Sequence, residues 1–174
     1  MNTLSKKIAL ITGSTDGIGL HTAKRLANAN FKVLIHGRSL ERLMKAKTLI
    51  TQEIPTAEVD IFEYDFINLQ SSKDLANEIR SKYERLDVLI NNAGVFQDDY
   101  VVTNDKIEST FAINCCATFI LNLMLLPLLK QTNQSRILNV SSISQEDIQE
   151  IDFDNLQFQR GKFSSYDSYS LSKV

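Results

Sequence analysis

A glycine-rich turn near the amino terminus restricts the fold more than any other feature of this sequence. The stretch KIALITGSTDGIG leads from a short apolar run into residues whose apolar positions recur at helical spacing. Gly13, Gly17 and Gly19 follow the pattern G-x-x-x-G-x-G, a variant of the dinucleotide-binding fingerprint. Gly13 permits a sharp turn, Gly17 lets the backbone approach a pyrophosphate, and Gly19 permits tight helix–sheet packing. The predicted cofactor contacts of the turn are Gly13, Ser14, Thr15, Asp16, Gly17, Ile18 and Gly19.

The alternation of strand and helix continues along the chain. Further strands are predicted in FKVLIHG, AEVDIFEYD, LDVLINNAG and RILNVSS, and further helices in LERLMKAKTLI, in SSKDLANEIRSKYE and over roughly Lys106–Lys130. Asn28 or Asn30 can close the first helix, and Ser71 or Ser72 is predicted to cap the third. This pattern predicts a Rossmann-type α/β fold, in which a doubly wound parallel sheet carries helices on both faces.

The composition is that of a soluble globular protein. Hydrophobic residues make up 43% and charged residues 23% of the 174 positions, and the formal net charge is −2. This balance gives no reason to expect nucleic acid or an anionic membrane as a partner. We expect a single domain over residues 1–174. The mixed, acidic segment Ile143–Phe163 has no clean period and is predicted to be an ordered insertion or lid beside the site.

The sequence predicts a cytoplasmic protein. Its two cysteines, Cys115 and Cys116, are adjacent in an apolar segment, which favours buried thiols in a reducing compartment. The stretch MNTLSKKIALITG has too short an apolar run for a signal peptide. The run FILNLMLLPLL falls short of the roughly 20 residues that a membrane span needs, so no membrane span is predicted. No metal site is predicted either.

The end of the second predicted strand bears on the choice of cofactor. An acidic residue there would accept hydrogen bonds from the ribose hydroxyls of NAD. This sequence reads IHGRS, with Gly37 in that place and Arg38 next. A guanidinium can pair with the 2′-phosphate of NADP, and Ser39 could assist it. NADP is therefore favoured over NAD, although Arg38 could also be an exposed arginine without a ligand.

Four motifs occur in an order that resembles the short-chain dehydrogenase/reductase family. They are TGSTDGIG (Thr12–Gly19), NNAG (Asn91–Gly94), NVSS (Asn139–Ser142) and YSLSK (Tyr169–Lys173). The resemblance spans essentially the whole chain. The phrase IDFDNLQ before the tyrosine is similar to one found in the retinol-dehydrogenase-like and WW-domain-oxidoreductase-like branches. The resemblance implies an oxidoreductase that transfers a hydride between a nicotinamide cofactor and a small alcohol or carbonyl compound.

The resemblance also implies a set of cofactor contacts outside the glycine turn. Asp65 matches the residue that meets the adenine ring, with Phe66 beside it. The cofactor cleft after the fourth strand is implied to be shaped by Asn92, Ala93 and Gly94. Asn91 is implied to tie neighbouring strands together.

The catalytic residues implied by the resemblance are Asn114, Ser142, Tyr169 and Lys173. Asn114 would hold a water of a proton relay, and Ser142, with Ser141 as the alternative, would bind the substrate oxygen. Tyr169 and Lys173 are four residues apart, so a helix would place them on one face. A neighbouring ammonium stabilises a phenolate, which suits Tyr169 as general acid/base and Lys173 as its partner. Both are also predicted to contact the cofactor, Lys173 through the nicotinamide ribose.

The family usually continues well beyond the tyrosine motif, whereas Val174 follows Lys173 directly. We therefore expect the carboxy-terminal part of the fold to be missing from this sequence. An NADP-dependent oxidoreductase is the leading hypothesis. The alternative is a nucleotide-binding or interaction module of the same fold that has no working catalytic pocket. The resemblance and the long apolar helix before Lys130 together suggest a homodimer.

Overall fold

Five parallel strands form the centre of the structure, a computed structural model that describes residues 6–174. Their order within the sheet is β3-β2-β1-β4-β5. The strands are β1 (Ile8–Ile11), β2 (Lys32–Gly37), β3 (Glu58–Glu63), β4 (Val88–Asn91) and β5 (Arg136–Asn139). The order reverses between β1 and β4, and the crevice at the carboxyl ends of these strands is where ligands bind in such sheets. The prediction about a signal peptide rests partly on residues 1–5, which lie outside the described residues.

Helices follow the strands along the chain. They are α1 (Gly17–Asn28), α2 (Leu40–Glu53), α3 (Leu69–Lys82), α4 (Ser109–Phe111), α5 (Ala117–Leu129) and α6 (Ser165–Leu171). A π-helical turn, Ala112–Cys116, joins α4 to α5 without a break, and a 3₁₀ turn, Ile143–Asp147, follows β5. The segment between that turn and α6 has no regular secondary structure, and none of residues 148–163 is fully buried. Its Gln157 side chain accepts from the Glu108 amide at 3.1 Å, and the role of the insertion as a lid stays a prediction.

The strands alternate their side chains between two hydrophobic cores. Leu10 of β1 points into a core shared with α3 and α5, while Ala9 and Ile11 point into a core shared with α1 and α2. Both cores are built from side chains that are almost fully buried. Helices therefore cover both faces of a parallel sheet, and the predicted doubly wound α/β fold is confirmed.

Local boundaries differ from the sequence prediction in two places. The third helix begins at Leu69 with Asn68 as its cap, because the Asn68 side chain accepts a hydrogen bond from the Gln70 amide at 2.9 Å. The predicted caps Ser71 and Ser72 are therefore wrong. The long helical segment begins at Ser109 rather than near Lys106, whose φ of 62° is left-handed and incompatible with a right-handed helix.

Other local predictions are settled by single residues. Asn28 or Asn30 was predicted to close the first helix. Asn30 has a left-handed φ of 63° just after α1, which confirms the second of these two alternatives. Cys115 and Cys116 are both free and partly buried, so the predicted burial of these thiols is incomplete. Burial still raises the pKa of Cys115 to about 12, and its thiol donates to the Ser172 carbonyl at 3.5 Å.

Part of the apolar surface is uncovered at one edge of the sheet. Every residue of β5 is exposed, including Ile137 and Leu138. Phe119 and Leu123 of α5 are also exposed. The continuous helical segment Ser109–Leu129 is 21 residues long and apolar enough, by length and composition alone, to cross a membrane. The core helices of soluble proteins meet the same criterion, so the absence of a membrane span stays a prediction.

Candidate active site

The glycine turn between β1 and α1 is shaped by contacts that leave no room for side chains. Gly13 has a φ of +62°, and a Cβ there would lie 2.8 Å from the Cα atom of Ala93. A Cβ on Gly19 would lie 2.4 Å from the carbonyl oxygen of Gly13. Gly17 has a φ of +52° and open space around its missing Cβ. The turn and packing roles predicted for Gly13 and Gly19 are confirmed, and the space at Gly17 suits a phosphate.

Polar side chains fix this turn to the strands beside it. Asn92 donates to the carbonyl oxygens of Thr12 and Gly13 at 2.9 and 3.0 Å. Asp16 caps α1 by accepting from the Gly17 amide at 2.8 Å. Ser14 was expected to meet the cofactor, but its side chain is fully buried and donates to the Ile11 carbonyl at 2.7 Å. The structure therefore gives Ser14 a supporting role within the turn.

A cavity of about 250 Å³ opens beside the turn, at the carboxyl ends of the strands. Eight predicted cofactor residues line it: Gly13, Thr15, Arg38, Asp65, Phe66, Asn92, Ala93 and Gly94. The other predicted cofactor residues lie outside its lining: Ser14, Asp16, Gly17, Ile18, Gly19, Ser39, Tyr169 and Lys173. The cavity thus gathers residues that are far apart in sequence around a single space large enough for part of a nucleotide.

Two guanidinium groups face this cavity, and the sequence pointed to only one of them. Arg38 is exposed at the end of β2, and Arg42 lies in the first turn of α2. Arg42 pairs with Asp16 at 3.3 Å, which places its charge beside the glycine turn. Ser39 caps α2 through the Arg42 amide at 3.4 Å, so its hydroxyl is used within the protein. The pair of arginines gives this part of the cavity two positive charges, which could hold an anionic group.

A buried histidine that sequence reasoning missed also lines the cavity. Its imidazole ring accepts from the Gly13 amide at 3.3 Å through Nδ1 and contacts the Tyr64 carbonyl at 3.0 Å through Nε2. The ring of His36 stacks on Phe66 with centroids 4.2 Å apart. Burial lowers the pKa of His36 to about 4, although the Tyr64 carbonyl and the charge of Asp65 oppose the shift. The side chain is therefore neutral at physiological pH.

The lowered pKa of His36 predicts that acid weakens the fold over a defined range of pH. Unfolding restores a pKa near 6.5, so the unfolded chain binds a proton that the folded chain excludes. The stability that neutral His36 provides is complete above pH 6.5 and is lost as the pH falls towards 4, by about 3 kcal/mol in total. Urea unfolding of wild type and His36→Asn at several pH values measures this loss.

Carboxylates also titrate in acid, so the comparison must be between the two proteins. Burial disfavours charge on Asp60, but hydrogen bonds from Lys32 and Tyr83 outweigh it and lower the Asp60 pKa. Its contribution to stability is likewise lost in acid, below about pH 4. Because Asp60 is present in both wild type and His36→Asn, its contribution cancels when the two proteins are compared. Equal slopes for the two proteins between pH 6.5 and 4.5 would contradict the assignment to His36.

Asn114 lies in the π-helical turn, a distortion that often marks functional sites. Its side chain accepts from the Val95 amide at 2.8 Å and donates to the Val95 carbonyl at 3.0 Å. It also donates to the Ser172 hydroxyl at 2.8 Å. Asn114 therefore ties the loop after β4 to the end of α6. The predicted proton-relay water stays a prediction.

The predicted catalytic pair lies on α6 and at its end. The ammonium of Lys173 is 5.5 Å from the centroid of the Tyr169 ring, within the range of a cation–π contact. The same ammonium donates to the Val140 carbonyl at 3.2 Å, just beyond β5. A Cβ on Gly94 would lie 3.0 Å from it. Lys173 thus stands where the cofactor cleft meets the catalytic helix.

The two candidate serines differ in their partners. Ser142 caps the 3₁₀ turn after β5, because its hydroxyl oxygen accepts from the Ser144 amide at 3.3 Å and from the Ser144 hydroxyl at 3.0 Å. Ser141 donates to the Lys173 carbonyl at 2.5 Å. A second cavity, of about 290 Å³, is lined by Asn114, Ser141 and Lys173 but not by Ser142. The role of Ser142 in catalysis stays a prediction.

A buried carboxylate that sequence reasoning missed contacts α6, the helix that carries Tyr169. Glu108 accepts from the amides of Thr110 and Phe111 at 2.8 and 2.9 Å, which caps α4. Its Oε2 atom also accepts from the Ser168 hydroxyl at 3.2 Å, one residue before Tyr169. Glu108 is 1% exposed, so these donors replace solvent around its charge.

The inserted segment also contacts α6. Asp147, in the 3₁₀ turn, accepts from the Tyr166 hydroxyl at 2.5 Å. Phe96 packs against Tyr169 with ring centroids 5.3 Å apart, and Tyr100 packs on Phe163 at the same distance. Phe96 therefore packs directly against the predicted catalytic tyrosine. Among residues 6–174, no group of three or more histidine, cysteine or acidic side chains is arranged to hold a metal ion.

Asn91 and its partners connect the sheet to α5. The Asn91 side chain donates to the side-chain oxygens of Asn122 and Asn139, at 2.8 Å in each case. It also faces Asn139 directly in the register of β4 and β5. The predicted strand-tying role of Asn91 is confirmed.

Comparison with known proteins places this geometry in a family. The model of the short chain dehydrogenase family matches residues 7–150. Human retinol dehydrogenase 13 is 34% identical over 172 residues, which cover 99% of this chain and 52% of that protein. Human polyprenol dehydrogenase is 31% identical, with 97% of this chain and 52% of that protein covered. The chain therefore spans about half the length of the curated relatives it matches.

Solved structures agree with the fold. An uncharacterised protein from Mycobacterium paratuberculosis matches with a TM-score of 0.83 and 29% identity, over 96% of this chain and 57% of that one. A short chain dehydrogenase from Shigella flexneri complexed with NADP matches with a TM-score of 0.75 and 27% identity, over 98% of this chain and 67% of that one. On the strength of the matched residues 7–150 and the order of the sheet, the chain belongs to the short-chain dehydrogenase family of oxidoreductases and is similar to its retinol dehydrogenases.

Proposed function

We propose that this chain carries the cofactor cleft and the catalytic pair of an NADP-dependent oxidoreductase acting on an alcohol or carbonyl compound. The observation that carries the proposal is the position of Lys173, whose ammonium lies beside both Gly94 of the cleft and the ring of Tyr169. Such a placement lets one cation serve both the nucleotide and the proton donor. The nicotinamide supplies the hydride when it is bound.

The residues present fit a phosphorylated dinucleotide. The glycine turn opens α1, whose free amides and positive dipole end favour phosphates. Open space at Gly17 would let a pyrophosphate approach the backbone of the turn. Arg38 and Arg42, which both line the cavity, suit a 2′-phosphate. Asp65 and Phe66 would contact the adenine ring.

The proton chemistry falls to Tyr169. In reduction its hydroxyl would give a proton to the carbonyl oxygen of the substrate, and in oxidation its phenolate would take the proton of the alcohol. Lys173 would stabilise the phenolate and bind the nicotinamide ribose. Ser142 would donate a hydrogen bond to the substrate oxygen as negative charge develops there. Asn114 would position the loop after β4 and a relay water.

An apolar substrate fits the surroundings of Tyr169. Phe96 packs against the tyrosine ring, and the Tyr100–Phe163 pair joins the insertion to the loop after β4. The relatives include proteins named for retinol and for polyprenol. We therefore propose an apolar alcohol, aldehyde or ketone as the substrate class, and a cytoplasmic protein that acts as a homodimer. Oxidation of NADPH by a panel of apolar aldehydes and ketones, including retinal, tests the activity.

A second candidate is a nucleotide-binding module without turnover. The observation that favours it is the exposure of β5, the strand that leads to Ser142, along its whole length. A strand supported on one side only is a weak platform for a substrate-binding serine. NADPH binding without oxidation in the presence of any carbonyl compound would favour this candidate.

The cofactor preference gives a sharp prediction. Replacing Arg38 by alanine should weaken NADPH binding by about 10- to 100-fold, the value of one charge-assisted phosphate contact. NADH affinity should change by less than about 2-fold, because NADH has no 2′-phosphate to lose a partner. Fluorescence titration of both nucleotides measures the two constants.

A matched control removes an arginine elsewhere. Arg25 is exposed in the last turn of α1 and does not line the cavity, so Arg25→Ala should leave both affinities unchanged. If Arg38→Ala lowered the affinities for NADPH and NADH equally, Arg38 would not be the residue that binds the 2′-phosphate.

A further inference from the structure

His36 joins three parts of the nucleotide cavity that are far apart in sequence. Its Nδ1 atom lies 3.3 Å from the Gly13 amide, which belongs to the glycine turn. Its Nε2 atom lies 3.0 Å from the Tyr64 carbonyl, just after β3. Its ring stacks on Phe66 at 4.2 Å and 17°. The backbone of His36 also contacts the glycine turn, because its amide donates to the Ser14 hydroxyl at 3.0 Å.

We propose that His36 is a positioning residue of the nucleotide site, which sets the glycine turn and the ring of Phe66 in their binding positions as a neutral Nε2–H imidazole. The inference rests on the proposed function, because it takes the cavity to hold the adenosine part of a nucleotide. His36 itself lines that cavity, so its ring also forms part of the wall.

The hydrogen bonds determine which tautomer the site needs. The Gly13 amide is a donor, so Nδ1 must carry a lone pair; the Tyr64 carbonyl is an acceptor, so Nε2 must carry the hydrogen. Protonation of Nδ1 would set two donors against each other at Gly13. The charged groups that border the ring are Asp65 after β3 and the guanidiniums of Arg38 and Arg42 across the cavity.

The position of Gly13 explains why the contact matters for binding. Its φ is +62°, and a Cβ at this position would lie only 2.8 Å from the Cα atom of Ala93, so the turn has little freedom towards the segment after β4. His36 holds the same residue from the side of β2. Phe66 is 5% exposed, and its stacking partner is the imidazole rather than an aliphatic side chain. Loss of the Nδ1 acceptor would therefore release the phosphate-facing turn, whereas loss of the ring alone would remove only the stacking partner of Phe66.

The first experiment needs no nucleotide. Nitrogen-15 NMR of the histidine rings reports the tautomer directly, and His21, the other histidine of the chain, is exposed on α1 and supplies a reference signal. We expect His36 to show the neutral Nε2–H pattern without change from pH 8 to pH 5.5. We also expect the Gly13 amide proton to shift in His36→Phe. A protonated ring, or the Nδ1–H tautomer, would overturn the proposal.

The second experiment distinguishes the contribution of the His36 ring from that of its hydrogen bonds. His36→Phe keeps a flat ring against Phe66 but has no acceptor for the Gly13 amide, whereas the Oδ1 atom of Asn in His36→Asn can take the place of Nδ1. We expect the affinity for 2′,5′-ADP and for NADPH to fall about 10-fold in His36→Phe, the loss of roughly one hydrogen bond. In His36→Asn the affinity should return to within about 3-fold of wild type.

A control variant accounts for a general loss of stability. Ile50 is fully buried on α2, in the core on the other face of the sheet from Phe66, so Ile50→Val should lower stability without changing nucleotide affinity. Retained affinity in His36→Phe, or an equal loss in His36→Asn, would overturn the proposal. If wild type bound no nucleotide, the proposed function would fail, and the tautomer and the Gly13 amide shift would decide the positioning role alone.

Discussion

Replacing Tyr169 by phenylalanine should lower turnover by about 10³-fold, the size of a typical general acid/base contribution. The phenylalanine ring keeps the packing against Phe96 and the approach of the Lys173 ammonium, so only the hydroxyl is lost. The dissociation constant for NADPH should therefore stay within about 2-fold of wild type. Initial rates of NADPH oxidation with the best carbonyl substrate of the panel, together with fluorescence titration, measure both quantities.

The neighbouring tyrosine supplies the control. Tyr166 lies one turn earlier on α6, and its hydroxyl binds Asp147 of the insertion. Tyr166→Phe removes a hydroxyl from the same helix, but away from the Lys173 ammonium, and turnover should stay within about 3-fold of wild type. A Tyr169→Phe protein that retained a tenth of the wild-type rate would exclude Tyr169 as the proton donor.

Replacing Gly19 by alanine should be the most destabilising single-methyl change in the glycine turn. The new Cβ would lie 2.4 Å from the Gly13 carbonyl oxygen and 2.9 Å from the Ser14 Cα atom. Both are backbone atoms of the turn itself, which cannot move aside as a flexible side chain could. We expect the free energy of unfolding to fall by about 3 kcal/mol, the upper part of the range for overpacking. Urea denaturation monitored by circular dichroism measures the change.

Gly17 is the matched control for Gly19, because the added methyl group meets open space there. No atom lies within 4 Å of its Cβ position, and only the left-handed φ of +52° opposes a side chain. Gly17→Ala should therefore cost only about 1 kcal/mol of stability. Its NADPH affinity should nevertheless fall, because the methyl group enters the space predicted for the pyrophosphate. Equal stability losses in the two variants would contradict the packing argument.

The sequence predicted most of the architecture because each element carries its own local signal. Short β-branched runs such as IALI, and apolar residues at helical spacing after Gly17, are sufficient to define strand and helix. The glycine turn could be located because its spacing reflects a backbone requirement. The cap of α3 was misplaced because Asn68 and the two serines are all good caps, and only tertiary packing, which buries Ser72, selects between them.

The residues that were missed act through contacts between distant segments. His36 reaches Tyr64, Arg42 reaches Asp16, and Glu108 reaches Ser168. In a single sequence each is an ordinary polar residue, and none falls in a recognisable motif. Their roles arise only when the sheet brings the ends of its strands together, so no local pattern could have identified them.

The division of the site along the chain has a consequence for biosynthesis. Every residue that lines the nucleotide cavity lies between Gly13 and Ile113, whereas Lys173 meets the cleft from near the end of the chain. At roughly 5–20 residues per second, the ribosome makes the whole cavity several seconds before it reaches Tyr169. The helix that carries Tyr169 is therefore made after every residue that lines the cavity. A cofactor bound by the emerging chain would stabilise the first four strands by mass action before the tyrosine arrives.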